Sequence, residues 1–401
     1  MSQKAGALFI FITIMLDTIG LGVVIPVLPD LLRRHVQSES DVSAYFGYFI
    51  SLFALMQFLA SPVLGKLSDK LGRKPILLFS LLFSAAGYLM MAYAPNLTVL
   101  FLSRIVSGIA GASFSVATAY VVDVSNDENR AKNFGMIGAA FGLGFILGPA
   151  IGGLLGSTHQ DYPFLVAAAF TGLNFIYGWF VLPESLAPEK RRHDFALKDL
   201  NAFASVLAIL KTRGIRTLVW VYLLFNMAGM VHPSCWSLFT RKKFDWSPAQ
   251  IGISLTIVGI MSAISQGWLT RVFIPKLGEW RAATIGAWGQ ALSFFLFSIS
   301  MSGTMLYGVL VLSSLFWIGQ PALQSIISKS ASPEKQGELQ GSLNGLASLT
   351  AVVSPLFATS LFSKFSESQE HPFVGAPYVY GSFCFLLSAF LITNRSRKIS
   401  E

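Results

Sequence analysis

Gly65-Lys-Leu-Ser-Asp-Lys-Leu-Gly-Arg-Lys-Pro75 is the stretch on which the reading of this chain turns. Apolar runs flank it, Tyr45–Leu64 before and Ile76–Tyr93 after. Each has about 20 residues, the length that carries a helix across about 30 Å of hydrocarbon. Between them stand four cations, Lys66, Lys70, Arg73 and Lys74, and one anion, Asp69. A short basic link between two membrane spans belongs on the cytoplasmic side. Charge alone reads the stretch as such a link, with Gly72 as a helix stop. The order of its residues, Gly-x-x-x-Asp-x-x-Gly-Arg-Lys, is more specific than a positive loop requires.

The rest of the chain has the composition of a polytopic membrane protein. It is 53% hydrophobic and only 12% charged over 401 residues, whereas a soluble domain carries about 25% charged residues. A large soluble enzyme would need far more polar surface. The net charge of +9 does not point to nucleic acid, because the cations lie in loops on one side. Membrane lipids with anionic headgroups are the expected partner. Cys235 and Cys384 fall in or beside apolar runs, and no ligand-like cluster of Cys or His occurs. No metal, disulfide or cofactor is therefore expected. The first apolar stretch, Ala5–Leu28, has one lysine ahead of it, lacks a small-x-small cleavage site and contains Asp17. It reads as a retained span rather than a signal peptide.

Twelve spans are predicted, at about 6–30, 44–64, 76–94, 98–121, 134–156, 162–182, 217–239, 249–270, 282–301, 304–327, 339–363 and 374–394. The only long polar connector is Pro183–Arg216. It separates an amino-terminal six-helix bundle (1–182) from a carboxy-terminal one (217–401), with 183–216 as a cytoplasmic linker. With the amino terminus inside, 22 of the 29 Lys and Arg lie on the inner side, 6 on the outer, and Arg104 lies within a span. That bias predicts both termini in the cytoplasm. The halves read as repeats. Glu128, Arg130, Gly135 and Pro149 recur as Glu334, Gln336, Gly341 and Pro355, each 206 residues further on.

Three ionisable residues stand out in the first half. Asp17 sits midway along span one, where a carboxylate costs about 2.5–3.5 kcal/mol to insert. It therefore faces other helices rather than lipid. It either holds a proton reversibly or is a structural Asp bonded to a neighbouring helix. Arg104 lies inside span four, several residues in from Asn96, so snorkelling to the surface would be partial. Asp123 closes span four, and alone it would be a helix-end carboxylate facing water.

The loop Gly65–Pro75, placed between the second and third spans, resembles the signature loop of the major facilitator superfamily. The resemblance implies the superfamily's fold: an all-α integral membrane protein with twelve transmembrane helices in two six-helix pseudo-symmetric halves. It also implies parallel repeats and a substrate bound between them near mid-membrane. It further implies that Gly65, Asp69, Gly72, Arg73 and Asp123 form a cytoplasmic gate. Arg73 would bridge Asp69 and Asp123 through charge-assisted hydrogen bonds, and Asp69 would accept from free amides at the start of a helix in the other half. Arg104-Ile-Val-Ser-Gly108 resembles the fourth-span Arg motif implicated in proton coupling. Asp17-Thr-Ile-Gly-Leu-Gly22 with Pro26 and Pro29 looks like the first-span motif of drug:proton antiporters. Gly144, Gly148, Pro149 and Gly152 in span five resemble the antiporter motif of exporters, and glycines at this spacing also let a neighbouring helix approach closely.

Within the superfamily the chain is most similar to tetracycline-type efflux proteins. Aligned from these anchors, that family's acidic residue in span three falls at Gly87, its His in span eight at Ser262 and its Asp in span nine at Gln290. Proton coupling would then rest on Asp17 and Arg104, with His232 as the one titratable candidate in the second half. The position of His232 beside Pro233 near a span end fits a solvated or structural histidine as well. The second half otherwise offers amides and aromatics: Asn226, Gln266, Gln290, Phe316, Trp317, Gln320 and Gln324. Gln320 and Gln324 are one turn apart and can share a face. An apolar pocket with a few amides suits a drug-like ligand, while helix–helix hydrogen bonding is the alternative for each amide.

The expected function is secondary active transport: export of an amphipathic organic compound in exchange for protons, by alternating access, in a bacterial inner membrane. The expected partners are a small organic substrate, protons and lipid, with the chain acting as a monomer. An exporter or importer of a metabolite such as a siderophore or amino acid is the alternative within transport. A non-transporting membrane sensor would need a signalling domain, which the linker is too short to be. No nucleophile–base pair marks the chain as an enzyme.

Overall fold

Hydropathy and helix length together dictate the architecture, because in lipid every backbone amide must be paired within its own segment. The computed structural model describes residues 3–126, 129–191, 215–330, 336–368 and 372–400. Among them, twelve helical spans are long and apolar enough to cross a membrane. They are Leu8–Arg33, Glu39–Leu71, Arg73–Ala92, Leu97–Asp123, Lys132–Thr158, Tyr162–Val181, Arg216–Phe244, Pro248–Leu277, Glu279–Ile299, Gly303–Lys329, Leu339–Ser366 and Ala376–Arg395. The described residues contain no strand. Most of the linker, and Glu128 and Glu334 of the repeat, lie outside the described residues.

The helix ends follow local chemistry. Asn96 caps span four, its side chain accepting from the Val99 amide at 3.0 Å. Ser302 caps span ten, accepting from the Met305 amide at 3.1 Å. Such caps satisfy one of the free amides of a helix start. Spans two and three are separated by Gly72 alone, at φ 103°, and spans eight and nine by Gly278 alone, at φ 79°. Both angles favour glycine.

Two features of the spans are not visible in hydropathy. Span four is two helices, Leu97–Gly111 and Ser113–Asp123, and span ten is likewise Gly303–Leu315 and Gly319–Lys329. Span eight carries a π-helical turn at Ser265–Leu269. Many helix boundaries are related by the 206-residue offset. Arg73, Leu97, Ser113 and Arg130 open helices in the first half, and Glu279, Gly303, Gly319 and Gln336 open them in the second.

The residues divide into two packing units. The first takes spans one and three to six, span two from Leu52 onward, and Ser247–Thr256. The second takes Val36–Ser51, span seven up to Trp246 and the chain from Ile257 onward. The two short exchanges have local causes. Within the second unit, the Ser40 and Ser363 hydroxyls hydrogen-bond at 2.8 Å, and Gly47 lies against the Pro355 carbonyl and Thr359. Within the first unit, the Thr256 hydroxyl donates to the Ile146 carbonyl at 3.2 Å.

The core of the first unit joins Phe9, Ile10 and Ile14 of span one to Ile76–Leu78 and Leu81 of span three and to Val116–Val121 of span four. The core of the second is aromatic. Trp236, Phe239, Phe297 and Tyr378 are fully buried and in ring contact. Large apolar side chains such as Phe79, Trp179 and Phe180 point outward. On a soluble protein they would mark a sticky surface; on these spans they are the lipid-facing side.

Candidate functional site

Span one is positioned by glycines. Gly144, Gly148 and Gly152 of span five face it, with Met15, Thr18, Ile19 and Val23 in the places where their side chains would go. A Cβ on Gly148 would lie 2.6 Å from the Ile19 carbonyl oxygen and 2.9 Å from the Gly22 Cα. Backbone therefore rests on backbone, which only small residues permit. Gly142, two residues before Gly144 and on another face, has open space around it. On the far side of span one, the Tyr88 hydroxyl occupies the space a side chain at Gly20 would need.

This packing leaves a cavity of about 160 Å³ in the first unit, lined by Asp17, Phe53, Gln57, Tyr88, Arg104, Ser107, Phe114 and Phe141 among others. The structure thus brings Asp17 and Arg104 to one site. Asp17 has no hydrogen-bond partner among the described residues, and the Tyr88 phenol lies within electrostatic reach of both Asp17 and Arg104. Arg104 is buried. Its Nη2 donates to the Met91 sulfur at 3.0 Å, and its guanidinium lies 5.6 Å from the Phe53 ring centre. Gln57 closes one wall by donating to the Gly111 carbonyl at 3.0 Å, next to the break in span four. Gly87 faces the Ser107 hydroxyl, with no room for a larger residue.

The same unit carries a cluster of charges at its basic end. Arg73 is only 9% exposed and its Nη1 meets Asp69 Oδ1 at 2.6 Å. Its Nε meets Asp123 Oδ2 at 3.1 Å. Nη1 also donates to the Ser68 hydroxyl at 2.6 Å. Asp123 does not stand free in water: besides Arg73, it accepts from the Ser185 hydroxyl at 3.0 Å. Gly65 has open space around it.

Glu184 belongs to this cluster and is not singled out by the sequence. Its carboxylate accepts from the amides of Arg73 at 2.8 Å and Lys74 at 3.2 Å, the first turn of span three. It also accepts from the amides of Ser185 and Leu186, both at 3.0 Å. A carboxylate at a helix start pairs free amides and opposes the positive end of the helix dipole. Tyr120 donates to the Pro183 carbonyl at 3.1 Å, and Lys74 to the Trp179 carbonyl at 3.0 Å. The segment after span six is thereby tied to the start of span three and the end of span four. The available signal was a Pro-Glu-Ser run directly after a span.

Most of the second-half candidates have partners within the protein. Gln290 is buried, donates to the Ser313 carbonyl at 2.9 Å and accepts from its hydroxyl at 3.3 Å. Asn226 donates to the Tyr222 carbonyl at 2.8 Å, and Gln324 hydrogen-bonds the Tyr222 side chain. Phe316 packs into the notch at Gly289. Gln266 donates to Ser262 at 2.7 Å on the π turn. Gln320 is exposed and Trp317 half-buried. His232 lies in the aromatic core, 4.3 Å from Trp236 and 5.8 Å from Phe297 between ring centres. Its Nε2 has no partner among the described residues. Burial among rings, rather than solvation at a span end, is its environment.

Twelve spans, a repeated backbone and this arrangement of charges define a membrane transporter. The chain belongs to the Major Facilitator Superfamily, whose sequence profile matches residues 10–355 and 236–400. It is 38% identical over 390 residues to the tetracycline resistance protein, class C, of Escherichia coli, covering 96% of each chain. It is 29% identical to the quinolone resistance protein NorA of Staphylococcus aureus, covering 91% of this chain and 92% of that one. Among solved structures it is similar to the human organic anion transporter MFSD10, with a TM-score of 0.71 and 26% identity over 98% of this chain and all of the other. These relatives are transporters and resistance proteins, and this chain is not an enzyme. A drug efflux role in a multi-pass membrane protein is supported.

Proposed function

We propose that the chain exports an amphipathic organic compound from the bacterial cell in exchange for protons. The observation that carries the reading is Asp17, a mid-span carboxylate without a hydrogen-bond partner among the described residues, on the wall of an aromatic-lined cavity that also holds Arg104 and Tyr88. Intramembrane ionisable groups that face a cavity mark ion and substrate pathways. Proton binding at Asp17 changes the charge of the cavity that Tyr88 and Arg104 also line, which gives the transporter two electrostatic states to alternate between. The Lys and Arg bias supports both termini in the cytoplasm, which puts the Arg73 cluster at the inner end as a gate. The span-five glycines support export, as does the kinship with resistance proteins.

A cavity of about 160 Å³ is smaller than the roughly 300–1,000 Å³ of a pocket for a drug-sized ligand. It suits one ring or polar head of the cargo. Tetracycline and a fluoroquinolone are the first probes. Everted membrane vesicles energised in the presence of a pH-sensitive dye should show proton release on addition of a transported compound. Accumulation of the compound with no change in dye signal would overturn proton exchange.

A further inference from the structure

Gly72 and Gly278 are the only glycines with positive φ among the described residues, and their angles match: φ 103° and ψ 161° in one, φ 79° and ψ 153° in the other. Each immediately precedes a span. The next residue is Arg73 in the first case and Glu279 in the second. Spans four and ten end at Asp123 and Lys329. Every pair is separated by 206 residues. In the first unit Arg73 reaches Asp123 at 3.1 Å. In the second, Glu279 Oε1 meets Lys329 Nζ at 2.8 Å. The contact is made at the same two backbone positions with the charges exchanged. A serine assists in each: Ser68 accepts from Arg73 Nη1 at 2.6 Å in one unit, and Ser325 donates to Glu279 Oε1 at 2.5 Å in the other.

We propose that Glu279, Lys329 and Ser325 form a second clasp of inverted polarity, which holds the start of span nine to the end of span ten and sets the rate of interconversion during transport. These are positioning residues and do not line the cavity. The two clasps differ in strength. Arg73 is 9% exposed and is held by two carboxylates, whereas the Lys329 side chain is 70% exposed and has one carboxylate partner among the described residues, with Pro275 where the first unit has Asp69. Exposed pairs are weak and yield to salt. The second clasp is therefore the one that opens readily, and the Ser325 bond keeps Glu279 aimed when it does.

The inference rests on the transport reading only for its effect on rate, so the test has two arms. In the full-length protein, spin labels at Lys276→Cys and Ser330→Cys bracket the clasp. The native Cys235 and Cys384 are buried and do not label. Without substrate, the parent should give a narrow distance distribution, E279K and K329E broad ones, and E279K/K329E a narrow one again. In vesicles, each single reversal should lower turnover by up to about fivefold, the scale of an exposed pair, with KM unchanged, and the double exchange should recover it. Single reversals with parental distances, or an exchange no better than the singles, would overturn the clasp. Restored distances without restored turnover would remove its role in rate. If no compound is transported by the parent, the export reading fails while the distance arm still decides the contact.

Discussion

Spans three to five and spans nine to eleven begin their helices at matching positions and differ in chemistry. In the first unit, Tyr88 and Arg104 look across a cavity at Asp17. At the corresponding positions 206 residues later stand Phe294 and Leu310. Phe294 packs against Phe297, Tyr378 and Phe385 at ring separations of 6.0, 5.8 and 5.1 Å, and Leu310 is buried. One unit keeps polar groups around open space, and the other fills the same position with rings. Charges inside a membrane are costly, so they persist where they are used. At these corresponding positions the first unit has polar groups around a cavity and the second has packed apolar side chains.

The largest effect expected is from D17N. It should reduce substrate-driven proton release to background while the protein still folds and inserts; wild-type coupling in that variant would erase the contrast between units. Next come the clasps. R73Q removes charged hydrogen bonds to Asp69 and Asp123 and should destabilise by about 1.5–3 kcal/mol, whereas E279Q should cost about 0–1 kcal/mol. Thermal unfolding in detergent reads both, and equal losses would show that the two clasps are equivalent.

Span five offers a sharper version. Gly148 corresponds to Ser354, whose hydroxyl donates to the Met227 carbonyl at 2.7 Å. G148S forces span one away and should cost about 1–3 kcal/mol by overpacking. S354G loses one hydrogen bond and should cost about 1 kcal/mol. The smallest effects come from exchanging a single hydroxyl. Y88F removes the phenol hydroxyl that lies within electrostatic reach of Asp17 and Arg104 and should lower turnover with little change in melting. F294Y should leave turnover unchanged and lower the melting temperature, because its hydroxyl lands among rings. Transport kinetics and unfolding on the same two variants would separate chemistry from packing.

How far the sequence carried depends on the residue. Twelve apolar runs were legible because burial in lipid requires length and composition and little else. Gly72 and Arg73 were legible because their order, in a short basic stretch between two apolar runs, resembles a superfamily signature. The breaks at Ala112 and at Phe316–Ile318 were not, since no proline marks either and hydropathy runs through both. Tyr88 was hidden by being aromatic in an apolar span, where rings are ordinary packing; only its fit against Gly20, 68 residues away, shows otherwise. Glu184 was hidden by its place at the head of a polar linker. The second-half amides show the opposite hazard. Gln290 and Asn226 read as ligand groups by type, and tertiary packing engages both within the protein.

The matching helix ends have a practical consequence. Residues 73–123 and 279–329 are segments of equal length that begin after a glycine of the same conformation and end at the same point of a helix. An exchange of the two would keep the positive-φ glycine at one junction and the last helical residue at the other. Such transplants would move a whole set of side chains in one step rather than one residue at a time.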